Sequence, residues 1–273
     1  MNARFSMPQV QQLVALARSA GDAILDVYGQ DFPVELKADE SPLTEADLAS
    51  HRMICDGLAE LEPDTPVLSE ESAGVPFAVR SGWRRYFLVD PLDGTREFVK
   101  RNGEFTVNIA LIEDHLPVLG VVHVPVTGVT YFGAAGLGAF KQGDAAPEAI
   151  RVRRPAADPV VVVGSRSHAN PDLQDRLALL GAHELVSMGS SLKFCLVAEG
   201  AADFYPRLGP TSEWDTAAAQ AVVEAAGGRV VKLDGQDLRY NTKADILNPA
   251  FLVYGDTSRD WPQEFSIPTN FTN

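Results

Sequence analysis

The chain is poor in cysteine and in long apolar runs, and each shortage excludes a class of protein. Its 273 residues include 2 cysteines, Cys55 and Cys195, and both fall within apolar helical patterns. We therefore expect two buried free thiols in a reducing compartment rather than a disulfide-rich secreted fold. No stretch approaches the ~18 apolar residues of a membrane-spanning helix, and the N-terminus lacks the apolar core of a signal peptide. A cytoplasmic protein is expected, and peripheral contact with the inner face of the cell membrane stays open.

Positive charge is also scarce. The chain carries 23 lysines and arginines against 37 aspartates and glutamates, a formal net charge of −14. A surface of this sign repels polyanions, so a nucleic acid polymer is not an expected partner. A phosphate-bearing small molecule would need a local group of cations. The sequence leaves a monomer and a homodimer equally open.

The motifs of several common enzyme classes are missing too. There is no G-x-S-x-G, H-E-x-x-H, G-x-x-x-x-G-K-[ST] or C-x-x-C, and the 5 histidines show no ligand-like spacing. Nucleotide binding through a Rossmann or P-loop element is therefore not the favoured hypothesis. Carboxylates remain as the groups that could carry chemistry.

The order of apolar patterns divides the chain near residue 155. Two amphipathic helices, at residues 8–29 and 44–61, precede short apolar runs that predict one sheet, largely antiparallel in its later part. From residue 160, strands alternate with helices. The prediction is an α/β protein with an α+β N-terminal half (1–155) and an α/β C-terminal half (156–273). In the second half, strands are predicted at 160–163, 185–188 and 230–233, and helices at 171–180, 190–199 and 214–227.

Candidate ligands first occur where an apolar strand ends, at Asp90-Pro91-Leu92-Asp93-Gly94-Thr95. Pro91 fixes one φ angle and Gly94 permits a tight turn, which would bring both carboxylates and a main-chain carbonyl to one side. The same residues are ordinary turn chemistry, so a simple turn stays open as the alternative.

Two further places strengthen the cation hypothesis. Glu70 and Glu71 follow a short apolar strand directly, although a solvated loop would explain them as well. Asp215 stands at the start of a predicted helix, where an acid caps the helix in any case. If these segments converge, their oxygen atoms form a site without histidine or cysteine, which favours Mg²⁺ or Mn²⁺ over Zn²⁺. Two such ions are the usual arrangement for attack on a phosphate ester.

Three motifs together resemble the inositol monophosphatase-like superfamily of Mg²⁺-dependent, lithium-sensitive phosphatases. These motifs are Ser69-Glu70-Glu71, Asp90–Thr95 and Trp214-Asp215-Thr216-Ala217-Ala218. Within the superfamily, the segments Arg96–Ala110 and Ser165–His168 are similar to the bacterial 3′(2′),5′-bisphosphate nucleotidases. The resemblance implies a layered αβαβα sandwich of the sugar-phosphatase type that binds two or three Mg²⁺ ions.

The resemblance also implies a role for individual residues. The metal ligands would be Glu70, Asp90, the carbonyl of Leu92, Asp93 and Asp215. Glu70 would thereby also be catalytic. Thr95 and Asp47 would orient and deprotonate the attacking water, and the amides of Gly94 and Thr95 would meet a phosphate oxygen. A plain capping role for Asp47 is compatible with this, because Thr44-x-x-Asp47 is also a capping box.

Substrate contacts are expected from the C-terminal half. The family's inositol phosphatases carry a glutamate seven residues before the aspartate of the Trp-Asp motif, and Leu208 stands at that position here. Phosphate contacts are predicted from Gly189, Ser190, Ser191, Lys193, Arg166, His168 and Arg207. The alternatives are helix capping for the Gly-Ser-Ser segment and a surface loop for Arg166 and His168.

The activity that the resemblance implies is hydrolysis of the 3′-phosphate of adenosine 3′,5′-bisphosphate to AMP and phosphate, which would clear a by-product of sulfate assimilation. The 3′-phosphorylated sulfate donor is a second possible substrate. An inositol or sugar phosphatase of the same superfamily is the alternative within the class. A nucleotide-binding regulator without catalytic activity is the alternative outside it.

Overall fold

The computed structural model describes residues 4–30, 34–36, 42–72, 74–166 and 171–265. These residues form helices, two large sheets and a small antiparallel pair of strands, Glu35–Leu36 and Pro42–Leu43. The helices are α1 (Met7–Tyr28), α2 (Glu45–Leu61), α3 (Phe77–Arg80), α4 (Thr95–Val99), α5 (Pro171–Leu179), α6 (Leu192–Ala198), α7 (Ala217–Ala225) and α8 (Trp261–Glu264). The strands are β1 (Glu35–Leu36), β2 (Pro42–Leu43), β3 (Val67–Ser69), β4 (Arg85–Asp93), β5 (Thr106–Glu113), β6 (Leu116–Val124), β7 (Val129–Ala134), β8 (Gly138–Gln142), β9 (Glu148–Ile150), β10 (Val160–Ser165), β11 (His183–Met188), β12 (Phe204–Arg207), β13 (Arg229–Lys232) and β14 (Phe251–Tyr254).

The first sheet has seven strands in the order β3-β4-β5-β6-β7-β8-β9, with β3 and β4 parallel and each later pair antiparallel. Strand β4 shows how both faces are buried, since its side chains alternate between two cores. Phe87 and Val89 pack with α1 and α2, whereas Tyr86 and Leu88 pack toward the second sheet. The predicted antiparallel sheet is confirmed.

The second sheet has five strands in the order β11-β10-β12-β14-β13. Its continuous apolar strand β10 is buried on both faces: Val163 joins the core between the sheets, and Val162 joins an outer core with Leu177 of α5 and Trp261 of α8. Helices α6 and α7 lie between the two sheets. The layers are therefore helix, sheet, helix, sheet, helix, which confirms the αβαβα sandwich.

Helix α7 lies directly on the first sheet because small residues face each other there. A Cβ atom added to Gly120 of β6 would come within 2.0 Å of the carbonyl oxygen of Ala218, and one added to Gly133 of β7 would come within 2.9 Å of Ala225 Cβ. The helix is rich in alanine for the same reason. This close approach brings the segment before α7, which carries Asp215, against the end of the first sheet.

The structure differs from the predicted elements in both halves, and in the N-terminal half β1, β2, α3, β8 and β9 were not predicted. The helix predicted at 190–199 begins at Leu192, and the one predicted at 214–227 spans Ala217–Ala225. Strands β12 and β14 were not predicted. Pro206 and Arg207 interrupt the apolar run of β12, whereas β14 is an apolar run of four residues with the same signal as the strand predicted at 160–163. The predicted division near residue 155 falls between β9 of the first sheet and β10 of the second.

Both cysteines are free thiols, as predicted, but only Cys195 is buried, whereas Cys55 is half-buried. Among the described residues, no helix is both long and apolar enough to cross a membrane.

His123 on β6 makes the stability of the fold depend on pH. It is 4% exposed, and its Nδ1 lies 2.9 Å from Thr130 Oγ1. Burial, together with the charge of Arg18, lowers the pKa of His123 to about 4 from the ordinary 6.5. The imidazole of His123 binds a proton more tightly in the unfolded chain than in the folded protein. Its contribution to the free energy of unfolding is therefore fully present above pH 6.5 and is lost as the pH falls through 4. The loss amounts to about 3 kcal/mol at 1.36 kcal/mol per pKa unit.

We therefore expect His123→Gln to remove about 3 kcal/mol of pH dependence between pH 4 and 6.5 from the free energy of unfolding. Denaturant unfolding of wild type and variant across that range measures the difference. His183→Gln on β11 is the matched control, since it removes a histidine from a half-exposed strand. Parallel pH profiles for wild type and His123→Gln would contradict the prediction.

Candidate metal centre

Three carboxylates from separate segments meet where β3 and β4 end. Glu70 follows β3, Asp90 lies in β4, and Asp215 precedes α7, and each offers an oxygen within 4.8 Å of those of the other two. The parallel register of β3 and β4 pairs Ser69 with Val89, so the next residues of the two strands, Glu70 and Asp90, emerge side by side. The first sheet thus supplies two of the three carboxylates, and the segment before α7 supplies the third.

The backbone of β4 differs from the predicted strand-to-turn junction. The strand continues to Asp93 with a shift of register against β5, since Asp90 pairs with Asn108 but Asp93 pairs with Thr106. The amide of Leu92 donates to Asp90 Oδ1 at 3.0 Å, which orients that carboxylate. The turn itself comes at Gly94, whose φ of 92° suits glycine, and α4 follows directly.

The electrostatics of these carboxylates favour a bound cation. Burial raises the pKa of Asp90 well above its ordinary value, and the charges of Glu70, Asp93 and Asp215 raise it further. The pKa of Asp215 is raised by burial first and then by Asp93 and Glu70. Such a group of buried and half-buried like charges is relieved by a divalent cation, and the all-oxygen donor set fits Mg²⁺ or Mn²⁺.

Asp93 lines the same cavity, but its carboxylate accepts hydrogen bonds from Ser191, which directly precedes α6 between the two sheets. The amide and the hydroxyl of Ser191 lie 2.6 and 2.7 Å from Asp93 Oδ2. Burial raises the pKa of Asp93, while Lys193 and the bonds from Ser191 act in the opposite direction. The carbonyl of Leu92 is also at the site, 3.3 Å from Thr95 Oγ1.

The structure brings Thr95 and Asp47 together, the two residues to which the resemblance gave a joint role. Thr95 Oγ1 lies 3.3 Å from Asp47 Oδ1, across 48 residues of sequence. The other oxygen of Asp47 accepts from the amide and the hydroxyl of Thr44, at 2.8 and 2.7 Å, in the predicted capping box. Asp47 therefore caps α2 and contacts Thr95 at the same time.

The four carboxylates and Thr95 line a cavity of about 240 Å³ whose other wall comes from the C-terminal half. That wall includes Gly189, Ser190, Lys193, Phe194, Tyr205 and Arg207. Lys193 is 7% exposed; its Nζ donates to the carbonyl of Ser190 and lies 5.6 Å from the centre of the Tyr205 ring. Burial lowers the pKa of Lys193 to about 8, and Asp93 opposes this effect. A cation thus stands opposite the carboxylates in an acidic protein.

Other predicted phosphate contacts have partners within the protein. Arg166 pairs with both carboxylate oxygens of Glu104, at 2.7 and 2.8 Å, and the amide of Gly189 donates to Glu104 Oε2 at 2.7 Å. Arg207 donates to the hydroxyl of Thr211 and to the carbonyl of Pro210. The predicted contact His168 lies outside the described residues.

Sequence reasoning did not single out Glu97, Phe194 or Tyr205, which also line the cavity. Phe194 and Tyr205 are part of the core as well, and their apolar surroundings in the sequence give no sign of a site. Glu97 carried a usable signal, since it is an acid in the helix directly after Gly94-Thr95.

Comparison with known proteins agrees with this geometry. The model of the inositol monophosphatase family matches residues 7–259, so the chain belongs to that family. Within it, the chain is 54% identical to the 3′(2′),5′-bisphosphate nucleotidase CysQ of Salmonella typhimurium over 246 residues, which are 89% of this chain and 98% of that protein. It is 39% identical over 264 residues to CysQ of Aggregatibacter actinomycetemcomitans, covering 96% of this chain and 97% of that one. The crystal structure of CysQ from Bacteroides thetaiotaomicron matches with a TM-score of 0.79 at 43% identity, over 92% of this chain and 98% of that chain.

Proposed function

We propose that this protein hydrolyses the 3′-phosphate of adenosine 3′,5′-bisphosphate to AMP and phosphate in a reaction that depends on Mg²⁺. The observation that carries the proposal is the pairing, within one cavity, of the carboxylate cluster with the buried cation Lys193. A substrate with two phosphates matches this arrangement, with one phosphate at the carboxylates and the other at the lysine. The identity of 54% to a 3′(2′),5′-bisphosphate nucleotidase supports the same substrate class.

The metal-binding groups of the proposal are the carboxylates of Glu70, Asp90, Asp93 and Asp215 and the carbonyl of Leu92. Two or three Mg²⁺ ions held there would stabilise negative charge on the phosphate and make water a stronger nucleophile. The burial of Asp90 and its raised pKa support this assignment, because the protein itself provides little compensating charge beside Asp90.

Thr95 and Asp47 would orient the attacking water. A threonine hydroxyl that donates to Asp47 Oδ1 rather than to the Leu92 carbonyl can accept a hydrogen bond from the attacking water. As the water attacks, it would give its proton to Thr95 Oγ1 while the hydroxyl proton of Thr95 passes to Asp47 Oδ1, whose partner oxygen Thr44 already fixes. Gly94 and Thr95 would offer their amides to a phosphate oxygen at the start of α4.

The second phosphate would lie against Lys193, with Ser190 and Arg207 at the same wall of the cavity. Arg166 would affect substrate binding only indirectly, since its guanidinium is paired with Glu104. The proposed physiological role is removal of the bisphosphate by-product of sulfate assimilation in the cytoplasm, and turnover of the 3′-phosphorylated sulfate donor belongs to the same proposal. Lithium is an expected inhibitor.

One assay tests the proposal. Phosphate release is measured with adenosine 3′,5′-bisphosphate, adenosine 2′,5′-bisphosphate, inositol 1-phosphate and fructose 1,6-bisphosphate, with Mg²⁺ and with EDTA. We expect a preference for the adenosine bisphosphates and no release in EDTA. Equal kcat/KM for inositol 1-phosphate would favour the inositol phosphatase alternative. Nucleotide binding without phosphate release would favour a regulator.

A further inference from the structure

Ser191, the residue before α6, faces the carboxylates rather than the cavity. It is 2% exposed, and its amide and hydroxyl both donate toward Asp93 Oδ2. Its hydroxyl also lies 2.7 Å from the main-chain carbonyl of Asp215. We propose that Ser191 is a positioning residue that joins the metal-binding carboxylates of the two halves of the molecule.

The two carboxylates that Ser191 joins belong to different parts of the fold. Asp93 ends β4 of the first sheet, whereas Asp215 lies in the segment between β12 and α7. The amide of Ser212 donates to Asp215 Oδ2 at 3.0 Å, so the carboxylate of Asp215 is fixed relative to its own backbone. Holding the carbonyl of Asp215 therefore also sets the position of its carboxylate relative to Asp93.

Asn108 on β5 completes the arrangement. Its Nδ2 donates to Ser191 Oγ at 2.8 Å and lies 3.4 Å from Asp93 Oδ2. A hydroxyl has one proton, and the lone pair occupied by Asn108 leaves that proton directed toward Asp93 or the carbonyl of Asp215. Asn108 thus restricts the hydroxyl to its two acceptors at the metal centre.

The burial of Asn108 lowers the stability of the fold, so packing alone does not explain why an amide stands at this position. The residue is 0% exposed, and within the described part of the chain its Oδ1 has no hydrogen-bond partner. An unsatisfied buried polar atom costs about 1–3 kcal/mol. An apolar residue of similar size would avoid that cost but could not orient Ser191. The amide is therefore better explained by the metal centre than by stability.

The adjacent residues Ser190 and Ser191 have different roles, one toward the substrate and one toward the metal ligands. Ser190 lines the cavity, while Ser191 lies behind it. The sequence predicted both as substrate contacts. The geometry instead leads us to expect that loss of the Ser191 hydroxyl weakens metal binding, whereas loss of the Ser190 hydroxyl weakens substrate binding.

The inference rests on the proposed metal-dependent function, so its test begins with substrate-free protein. Mn²⁺ binding is measured by electron paramagnetic resonance of the free ion for wild type, Ser191→Ala and Ser190→Ala. Outer residues that orient metal ligands typically change affinity or activity about 10–100-fold. We expect Ser191→Ala to weaken Mn²⁺ binding about tenfold and to raise the half-saturating Mg²⁺ concentration for phosphate release equally. Its substrate KM at saturating Mg²⁺ should stay within about twofold of the wild-type value. Ser190→Ala should raise that KM and leave Mn²⁺ binding unchanged.

Asn108→Leu is the second variant, because Ser191→Ala removes the hydroxyl that Asn108, Asp93 and the Asp215 carbonyl share and could unfold. We expect weaker Mn²⁺ binding in Asn108→Leu together with unchanged or higher stability in EDTA. A Ser191→Ala protein that loses stability or substrate affinity but binds Mn²⁺ like the wild type would overturn the inference. A wild type that binds Mn²⁺ but releases no phosphate would contradict the proposed function instead, and the Mn²⁺ comparison would still decide the role of Ser191.

Discussion

Asp90→Asn should abolish turnover and make the metal-free protein at least as stable as the wild type. The carboxylate is 1% exposed and lies among Glu70, Asp93 and Asp215, whose charges together with burial raise its pKa. An amide removes one buried negative charge and can donate to its neighbours while still accepting from Leu92. Because it removes a metal ligand, we expect kcat to fall at least about 1000-fold, the upper range for loss of one group that stabilises the transition state.

The stability measurement separates this result from simple misfolding. Mg²⁺ at 100 times its Kd should add about 2.7 kcal/mol to the unfolding free energy of the wild type. We expect less than half of that gain in Asp90→Asn, measured by denaturant unfolding in EDTA and in Mg²⁺. Asp144→Asn, in the exposed loop after β8, is the matched control and should behave like the wild type in both assays. A variant that keeps a tenth of the activity, or gains full stability from Mg²⁺, would contradict the role of Asp90.

The carboxylate site could be predicted because its residues follow short apolar strands. Glu70 and Asp90 each come after a run of apolar residues, and neighbouring parallel strands bring such positions to one edge. Asp215 was a weaker candidate, since capping explains an acid at that place equally well, and the resemblance then implied its role as a metal ligand. The pairing of Asp47 with Thr95 likewise has no periodic signal, because the two residues meet only when α2 packs on β4.

The other wall of the cavity could not be derived in the same way. Arg166 looked like a cation available for phosphate, but Glu104, 62 residues away, binds it. A Cβ on Gly189 would come within 2.8 Å of the carbonyl oxygen of Glu104, so glycine is required there by the way the halves pack. Ser191 finds its partners 98 residues earlier in Asp93 and 24 residues later in Asp215. Contacts of this kind depend on the final packing of the two sheets. The residues near each position in the sequence give no information about that packing.

Lys193→Met should reduce kcat/KM for adenosine 3′,5′-bisphosphate about 100–1000-fold while leaving catalysis of a monophosphate largely intact. Removing one member of a buried, hydrogen-bonded charge pair costs about 3–4 kcal/mol, which corresponds to that factor. Methionine fills a similar volume, and no buried ammonium remains to be desolvated, so the fold should persist. We therefore expect the loss to lie mainly in KM, and kcat/KM for 3′-AMP, which lacks the second phosphate, to change less than about fivefold.

The pH dependence of KM provides an independent check on the same group. Burial lowers the pKa of Lys193 to about 8 in the metal-free protein, and a cation bound at Asp93 would weaken the opposing effect of that carboxylate, so the charge of Lys193 is lost by about pH 8 as the pH rises. The KM of the wild type for the bisphosphate should therefore increase above pH 8, and the KM of Lys193→Met should not. Lys232→Met on β13, whose ammonium is bonded to Gln236, is the matched control. If Lys193→Met lowers kcat/KM equally for 3′-AMP and for the bisphosphate, Lys193 contacts the metal-bound phosphate instead. If only the bisphosphate is affected, Lys193 explains how a protein of net charge −14 selects a substrate with two phosphates.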